Sequence, residues 1–439
     1  MTATENIKLK ISNSISFKLG VILLLILLMQ IPLSYVRGLI FEREQMQHQA
    51  QNQISQRWGG NQYIGAPILN TYKQNTHILN SNNKDNNSNN RVLQSTQAQS
   101  FDLNVNLDAE LRYLGIYESS VFVSNVNMSG LIELKTAIQQ NDTQKLFIPI
   151  KQLQGLKALK KISINQQIIK SMPHQTTVNN LNGIEVDLTG IEITDVISYE
   201  IDLKLAGSSQ FDILPLARKT TVNMSSNWQS PSFVGHSLPD TREIDDSGFK
   251  ATWQINKFIQ NLGNNLNNHQ NNFMTQSDFS AFGVKVLIPA NIYQVNERTV
   301  KYSFLIVLLT FAGFFLAELF FKLRLHPFQY LLIGVSLSVF YLLLLSLSEY
   351  IKFNWAFLIS AFSIIVLIAS YCSVVLKQRK RGIYTGLLFA LLYGFIFILV
   401  KAEETSLLMG AIGIWLILAL IMYLTRKIDW YAVNVEEKD

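Results

Sequence analysis

The chain has a single cysteine, Cys372, and it lies inside a long apolar run. No disulfide framework and no cysteine-based metal site can therefore stabilise the rest of its 439 residues. Histidine is also scarce: there are six, and none has the i, i+4 spacing that places two imidazoles on one helix face. No carboxylate-rich loop resembles a calcium site. We therefore expect no metal ion and no cofactor.

Motifs for catalysis are absent as well. The sequence contains no G-x-S-x-G nucleophile elbow and no G-x-x-x-x-G-K-[ST] phosphate loop. We expect no enzyme activity and assign no catalytic residue. The alternative is an enzyme that uses Asp245 and Asp246 as acid and base. Adjacent strand residues point to opposite faces, so that pair requires a loop conformation.

Charge is scarce. Only 15% of the residues are charged, whereas soluble domains average about 25%. The net charge of +6 does not indicate nucleic-acid binding, because the lysines and arginines gather beside apolar runs. A basic stripe interleaved with aromatic residues, the usual mark of a nucleic-acid surface, is missing. We expect no nucleic-acid partner.

Hydrophobic residues, by contrast, make up 48% of the chain and are concentrated in long runs. A run of about 20 apolar residues spans a bilayer as a helix. The first run has no A-x-A-like site after it, so we interpret it as an uncleaved anchor. Six such runs predict six transmembrane helices, at residues 17–35, 299–321, 328–347, 355–376, 383–400 and 406–424.

Basic residues in short loops predict the orientation, since they stay on the cytoplasmic side. With six spans, all the clusters fall on one side: Lys8, Lys10 and Lys18; Lys322 and Arg324; Lys377, Arg379, Lys380 and Arg381; Arg426 and Lys427. Both termini are then cytoplasmic. The predicted divisions are a tail and anchor (1–36), a periplasmic domain (37–298), a five-helix bundle (299–425) and a cytoplasmic tail (426–439).

The region between the first two runs has a period of two. Alternating apolar and polar residues predict strands at 101–107, 121–123, 184–188, 197–205, 222–224, 248–255 and 282–288. Many short strands favour antiparallel sheets packed as a β-sandwich-like, mainly-β domain. Residues 64–72, which contain Pro67, predict an edge strand. Weaker patterns suggest helices at 41–58, 131–140, 151–158 and 257–268. The Asn-rich tract 75–90 predicts a surface loop.

Within the apolar runs, Glu318 is the intramembrane candidate for a functional residue. It either pairs with Lys322 four residues later or takes part in proton or substrate movement. Glu349, at the outer end of another run, is expected to be solvated. Small residues at four-residue spacing predict close helix packing, most clearly Gly382, Gly386, Ala390 and Gly394.

Residues 226–254 form an unusual stretch in the polar region, with aromatic, Pro, Gly and charged residues close together. One interpretation is a structural loop held by an Arg–Asp pair and aromatic packing. The other is a ligand or partner site, because rigid scaffolds present function on loops. The candidate binding residues are Trp228, Phe233, Arg242, Asp245, Asp246 and Trp253.

Three stretches carry a family resemblance: SNWQSPSFVGHSLPDTREIDDSGFKATWQ, RLHPFQYLLIGVSLSVFYLLLLSLSEY and LTRKIDWY. Together they resemble the CreD family of inner-membrane cell-envelope integrity proteins. The resemblance implies a multi-pass inner-membrane protein that belongs to a two-component regulon. It also implies roles in the envelope stress response, colicin tolerance and the β-lactam response, and it carries over no catalytic residue.

The expected function is therefore envelope maintenance through binding of an envelope protein, lipid or cell-wall ligand by the periplasmic domain. The bilayer itself is an expected partner, and no oligomeric state is predicted. Alternatives are a transporter or lipid-moving protein that uses the C-terminal helices and Glu318, or an envelope-modifying enzyme. A further alternative is a membrane partner that damps a sensor kinase.

Overall fold

The computed structural model describes residues 15–73, 92–134, 142–178, 180–256, 280–288, 292–321, 325–375, 378–402 and 406–426. The chain divides into two compact units. The helical unit comprises Met1–Met46 and Ala290–Asp439, and the mainly-β unit comprises Gln47–Pro289.

The helices have these bounds: α1 Ile15–Leu28, α2 Gln30–Trp58, α3 Ile292–Lys301, α4 Ser303–Phe321, α5 Pro327–Ser348, α6 Phe353–Val375, α7 Arg379–Lys401 and α8 Ser406–Thr425. Within the described residues, five helical segments are long and apolar enough to cross a membrane. They are Phe17–Trp58, Ile292–Glu318, Pro327–Ser348, Phe353–Val375 and Arg379–Lys401. Helix α8 coincides with the sixth apolar run, and the count of six crossings stays a prediction.

Local chemistry explains where two of these helices begin and end. Helix α5 starts at Pro327 after His326, whose Nδ1 accepts a hydrogen bond from Phe328 N at 3.2 Å. Gln329 Oε1 accepts a hydrogen bond from His326 N at 3.0 Å, which completes a capping box. Helices α1 and α2 are separated at Met29 because Pro32 has no N–H to donate to the Leu28 carbonyl.

The mainly-β unit contains sixteen strands among its described residues: β1 Gln62–Gly65, β2 Ile68–Lys73, β3 Val92–Leu114, β4 Tyr117–Glu133, β5 Asp142–Pro149, β6 Leu156–Ile164, β7 Gln167–Ile168, β8 His174–Val178, β9 Leu181–Asp187, β10 Val196–Ser208, β11 Gln210–Leu214, β12 Lys219–Ser226, β13 Pro231–Gly235, β14 Thr241–Asp245, β15 Gly248–Asn256 and β16 Phe282–Val286. The strands predicted from alternation are confirmed.

These strands form two sheets. The small sheet has the order β1-β11-β16-β13. The large sheet has a main path β7-β6-β10-β4-β3-β2-β5-β9-β8, with β12 paired to β3 and β15, and β14 paired to β15. Strand β3 is long enough to pair with β2 through its first half and with β12 through its second half.

The two sheets share one apolar core, and aromatic side chains bridge them. Phe122 of the large sheet meets Phe211 of the small sheet edge-on, with ring centroids 5.8 Å apart. Trp253 of the large sheet lies 5.6 Å from Phe282 and 5.8 Å from Phe233, both in the small sheet. Aromatic pairs of this kind add to the stabilisation from buried area.

Several sequence predictions were wrong here. Residues 151–158 form a 3₁₀ turn, Leu153–Gly155, followed by strand β6 instead of a helix. Residues 131–133 end strand β4 because they pair with β10. The predicted edge strand is split at Pro67, and its second half, β2, is internal because it pairs with both β3 and β5. The predicted helix at 257–268, residues 135–140 of the predicted helix at 131–140 and the predicted loop at 75–90 lie outside the described residues.

The predicted helix at 41–58 is confirmed as the second half of α2, and Gly59 ends it with φ +89°. A side chain at Gly59 would lie 2.6 Å from Gly155 Cα. The turn is locked by the fully buried amide of Gln62. Its Nε2 lies 2.8 Å from Gly59 O, 3.0 Å from Gln152 O and 3.1 Å from Ala206 O.

Gln62→Leu should lower the free energy of unfolding by about 3 kcal/mol. The apolar side chain leaves buried carbonyls without a donor, and each unsatisfied buried group costs roughly 1–3 kcal/mol. Thermal unfolding of the full-length protein measures the effect. Gln175→Leu, at an exposed glutamine on β8, is the matched control. Equal midpoints for the two variants would contradict the role given to Gln62.

Candidate functional site

The candidate binding residues of the stretch 226–254 do not form one exposed site. Trp253 is fully buried, and its Nε1 donates to Ser237 O at 3.3 Å. Phe233 packs edge-on against Phe249 and Trp253 in the core. Trp228 is half-buried and donates to Leu287 O at 2.8 Å. These aromatic contacts match the structural alternative given above, and a binding role for the same residues stays a prediction.

The charged candidate residues lie on the exposed side of the hairpin formed by β14 and β15. Arg242, Asp245 and Asp246 are all exposed. Asp245 ends β14 and pairs with Gly248 across a two-residue turn. It accepts hydrogen bonds from Ser247 Oγ at 2.6 Å and Ser247 N at 2.7 Å. Within the described residues, Arg242 forms no ion pair with Asp245 or Asp246, and Asp245 is held by Ser247.

The Ser247 hydroxyl, helped by the Ser247 N–H, lowers the pKa of Asp245. Ser247→Ala should therefore raise that pKa towards its ordinary value of about 3.9. Because the folded pKa is depressed, the contribution of this turn to stability is present above the ordinary pKa. It is lost as the pH falls through the folded value. An NMR titration of the Asp245 carboxyl measures the change, with Ser237→Ala as control; an unchanged pKa would refute the assignment.

Sequence reasoning missed a buried carboxylate, Glu185 on β9, whose side chain is 3% exposed. It accepts a hydrogen bond from Tyr72 OH at 2.5 Å and lies 3.3 Å from His174 Nε2 and 3.7 Å from Lys145 Nζ. Burial of Tyr72, reinforced by its bond to Glu185, raises the Tyr72 pKa. These partners occupy three other strands, so no local sequence spacing announces the cluster. These partners compensate the energetic cost of burying the Glu185 carboxylate.

An open groove of about 730 Å³ lies on the outer face of the large sheet. Five asparagines line it, at positions 104, 106, 125, 127 and 223, on the neighbouring strands β4, β3 and β12. Cross-strand pairing places Asn127 opposite Asn104 and Asn104 opposite Asn223. Asp202 and Thr252 continue this row on β10 and β15. The residues between these positions point inward and are buried.

Side-chain hydrogen bonds order part of the groove. Asn223 Nδ2 donates to Asn104 Oδ1 at 3.0 Å, and Asn127 Nδ2 donates to Asp202 Oδ1 at 2.6 Å. Lys160 lies at one end and Lys250 at the other, and Lys160 Nζ is 3.5 Å from Asn125 Oδ1. The alternation at 101–107 and 222–224 implied that Asn104, Asn106 and Asn223 face outward. Asn125 and Asn127 lie beyond the predicted strand at 121–123, and the sequence did not show that the five side chains lie in one groove.

In the helical unit, Glu318 is buried with a side chain 8% exposed. Lys18 Nζ of α1 lies 2.9 Å from its Oε1, Tyr330 OH donates to Oε2 at 3.3 Å, and Leu325 N donates to Oε1 at 3.2 Å. Lys322, the partner expected from sequence, lies outside the described residues. The observed partner comes from the first helix, about 300 residues away along the chain.

A second carboxylate, Glu349 at the C-terminal end of α5, was expected to be solvated. That prediction was wrong: its side chain is 8% exposed and lies 3.6 Å from Arg43 Nε. Tyr293 OH donates to it at 3.3 Å. Next to it, Asn296 Nδ2 donates to Ser348 Oγ at 2.8 Å. Glu349 therefore ties α2, α3 and α5 together.

The small residues of α7 form a packing seam for only part of its length. A side chain at Gly382 would lie 2.6 Å from Ser373 Cβ, and one at Gly386 would lie 3.1 Å from Ala369 Cβ. Ala390 and Gly394 are exposed instead. The buried face continues through Phe389 and Tyr393, because a four-residue repeat drifts around a helix that has 3.6 residues per turn.

Within the described residues, no three His, Cys, Asp or Glu side chains are grouped closely enough to hold a metal ion.

The folded chain is a membrane protein with several apolar helices and one large mainly-β unit. Comparison with protein families matches residues 14–431 to the family described as "Inner membrane protein CreD". The chain belongs to the CreD family of inner-membrane proteins.

A curated relative supports the same assignment. The inner membrane protein CreD of Escherichia coli (strain K12) is 30% identical over 417 residues, which cover 93% of this chain and 92% of the relative.

Among solved structures, an M1 zinc metallopeptidase from Deinococcus radiodurans matches with TM-score 0.22 and 12% identity. The match covers 36% of this chain and 38% of the peptidase. The leukotriene A4 hydrolase of Saccharomyces cerevisiae matches with TM-score 0.23 and 11% identity, over 37% of this chain and 28% of the hydrolase.

The Lys18–Glu318 contact predicts a defined pattern in stability. Glu318→Gln and Lys18→Met should each lower the free energy of unfolding by about 1–2 kcal/mol, after allowance for the partial exposure of Lys18. Thermal unfolding in detergent measures the loss. The double variant should lose less than the two single losses combined, because neither charge is then left alone. Purely additive losses would show that the two side chains do not interact.

Proposed function

We propose that this inner-membrane protein supports cell-envelope integrity by binding an envelope partner through its mainly-β unit. The groove on the large sheet is the observation that carries this proposal. It is a sizeable concavity lined by several asparagine side chains, and it lies over strands whose backbone groups are already paired. Recognition there depends on side chains and not on addition of a strand to a sheet edge.

The proposal includes a topology. The chain crosses the membrane six times, with α8 as the sixth span, and both termini lie in the cytoplasm. The basic clusters in the short loops support this orientation. The mainly-β unit is then periplasmic, with its two sheets packed in the manner of a β-sandwich, which the bridging aromatic pairs support.

The process served by the protein is the response to envelope stress, including β-lactam damage and colicin tolerance, as part of a two-component regulon. Family membership supports this part of the proposal. Binding, and not catalysis, is the proposed mode of action. Asp245 and Asp246 lie exposed at a hairpin turn. The buried carboxylate Glu185 is already held by four side chains, those of Tyr72, Asn70, Lys145 and His174.

A transport function is the second candidate, because Glu318 is a carboxylate buried in an apolar helix. Its three contacts to Lys18, Tyr330 and Leu325 favour a structural role instead. In cells that depend on this protein, Glu318→Gln distinguishes the two once membrane levels are matched. If the variant no longer maintains envelope integrity, transport is favoured. If it still maintains envelope integrity, the structural role is favoured.

Replacing Asn104, Asn125 and Asn223 by threonine should abolish the ability of the full-length protein to restore envelope integrity in cells that lack it. Threonine removes the amide groups but fits strands better than asparagine, so the fold should persist. Growth in detergent and in β-lactam measures the effect, after membrane levels are matched by immunoblot. Gln175→Thr, at an exposed position outside the groove, is the control. Full restoration by the triple variant would refute the proposed function.

A further inference from the structure

Side-chain hydrogen bonds explain only part of the asparagine content of the groove, since Asn106 makes none within the described residues. Asparagine is depleted in strands because its short polar side chain competes for backbone hydrogen bonds. An ordinary solvated face is better served by threonine or by charged residues. Yet five asparagines lie together on three adjacent strands, with Asn104, Asn106, Asn125 and Asn223 exposed. Such a choice sacrifices strand propensity, as binding sites commonly do.

The chemistry of the groove restricts its ligand. Each carboxamide offers one acceptor and two donors, which matches a hydroxyl group that both donates and accepts. The middle of the groove is uncharged apart from Asp202, and positive charge is confined to Lys160 and Lys250 among the lining residues. No arginine lines it, so it lacks the forked donors that favour phosphate groups.

The strands place the polar side chains of the groove at a regular spacing. Neighbouring strands are about 4.8 Å apart, so five side chains in register span about 19 Å across the sheet. The row formed by Asp202, Asn127, Asn104, Asn223 and Thr252 has this form. One strand spacing is close to the length of one sugar unit in an extended chain. Successive polar side chains can thus meet successive sugar units.

We infer that the groove binds a linear, hydroxyl-rich glycan chain laid across the strands. This inference deepens the proposed function and rests on it. The two lysines are positioned to meet acidic substituents at either end of such a chain. Because the described lining contains no aromatic ring, affinity comes from many hydroxyl contacts and increases with chain length.

Calorimetry of the full-length protein in neutral-lipid nanodiscs tests this inference, with chitohexaose as the linear probe and free N-acetylglucosamine as the single unit. Chitohexaose should bind at least tenfold more tightly than the monomer. The variant with threonine at positions 104, 125 and 223 should bind it at least tenfold more weakly, and Gln175→Thr should not change binding. The single variant Asn106→Thr, which breaks no side-chain hydrogen bond within the described residues, should weaken binding severalfold and guards against misfolding of the triple variant.

Absence of chitohexaose binding, affinity independent of chain length, or equal binding by Asn106→Thr and the wild-type protein would each overturn the inference. Binding to vesicles that contain phosphatidylglycerol, without binding to the glycan, would point to a lipid headgroup and overturn it as well. The cell assay distinguishes failure of the glycan inference from failure of the proposed function. If the triple variant fails in cells while the glycan does not bind, the ligand class is wrong and the proposed function stands.

Discussion

The pairing of strand β3 with its neighbours is the constraint on which the mainly-β unit depends. Its 23 residues pair with β4 along one side and with β2 and then β12 along the other, so it joins both halves of the large sheet. Phe101, Leu103, Val105 and Leu107 face the core. A slip of one residue would exchange the two faces of the strand. The same register that buries these side chains therefore presents Asn104 and Asn106 to the groove.

The helical unit follows a different rule, since most of its described surface is apolar and its few charges must be compensated. Glu318 and Glu349 lie near opposite ends of the bundle, and each is paired with a basic residue from the N-terminal helices, Lys18 or Arg43. Buried carboxylates without partners are strongly unfavourable in an apolar medium. The N-terminal segment is thus fixed to the C-terminal helices by polar contacts at two levels as well as by packing, which explains how a distant first helix joins the bundle.

Function and stability use different parts of the mainly-β unit. The aromatic residues that make the stretch 226–254 conspicuous bridge the two sheets and belong to the core. The groove lies on the opposite face of the same strand β15, through Lys250 and Thr252. The stretch 226–254 thus supports the groove from the core side and contributes only a few of the residues that line it. Membership of the CreD family gives the location in the inner membrane, and the groove gives a physical basis for a binding role there.

The sequence alone determined the features that depend on short-range patterns. These are the apolar helices, the alternating strands and the outward position of residues such as Asn104. Tertiary structure decided the rest. Residues 151–158 became a turn and a strand because β10 offers a pairing partner, and β2 became internal despite its neighbour Pro67. The partners of Glu185 and Glu318 come from strands and helices far away along the chain. Side-chain periodicity is a local property, whereas burial, pairing and charge compensation depend on which distant segments meet.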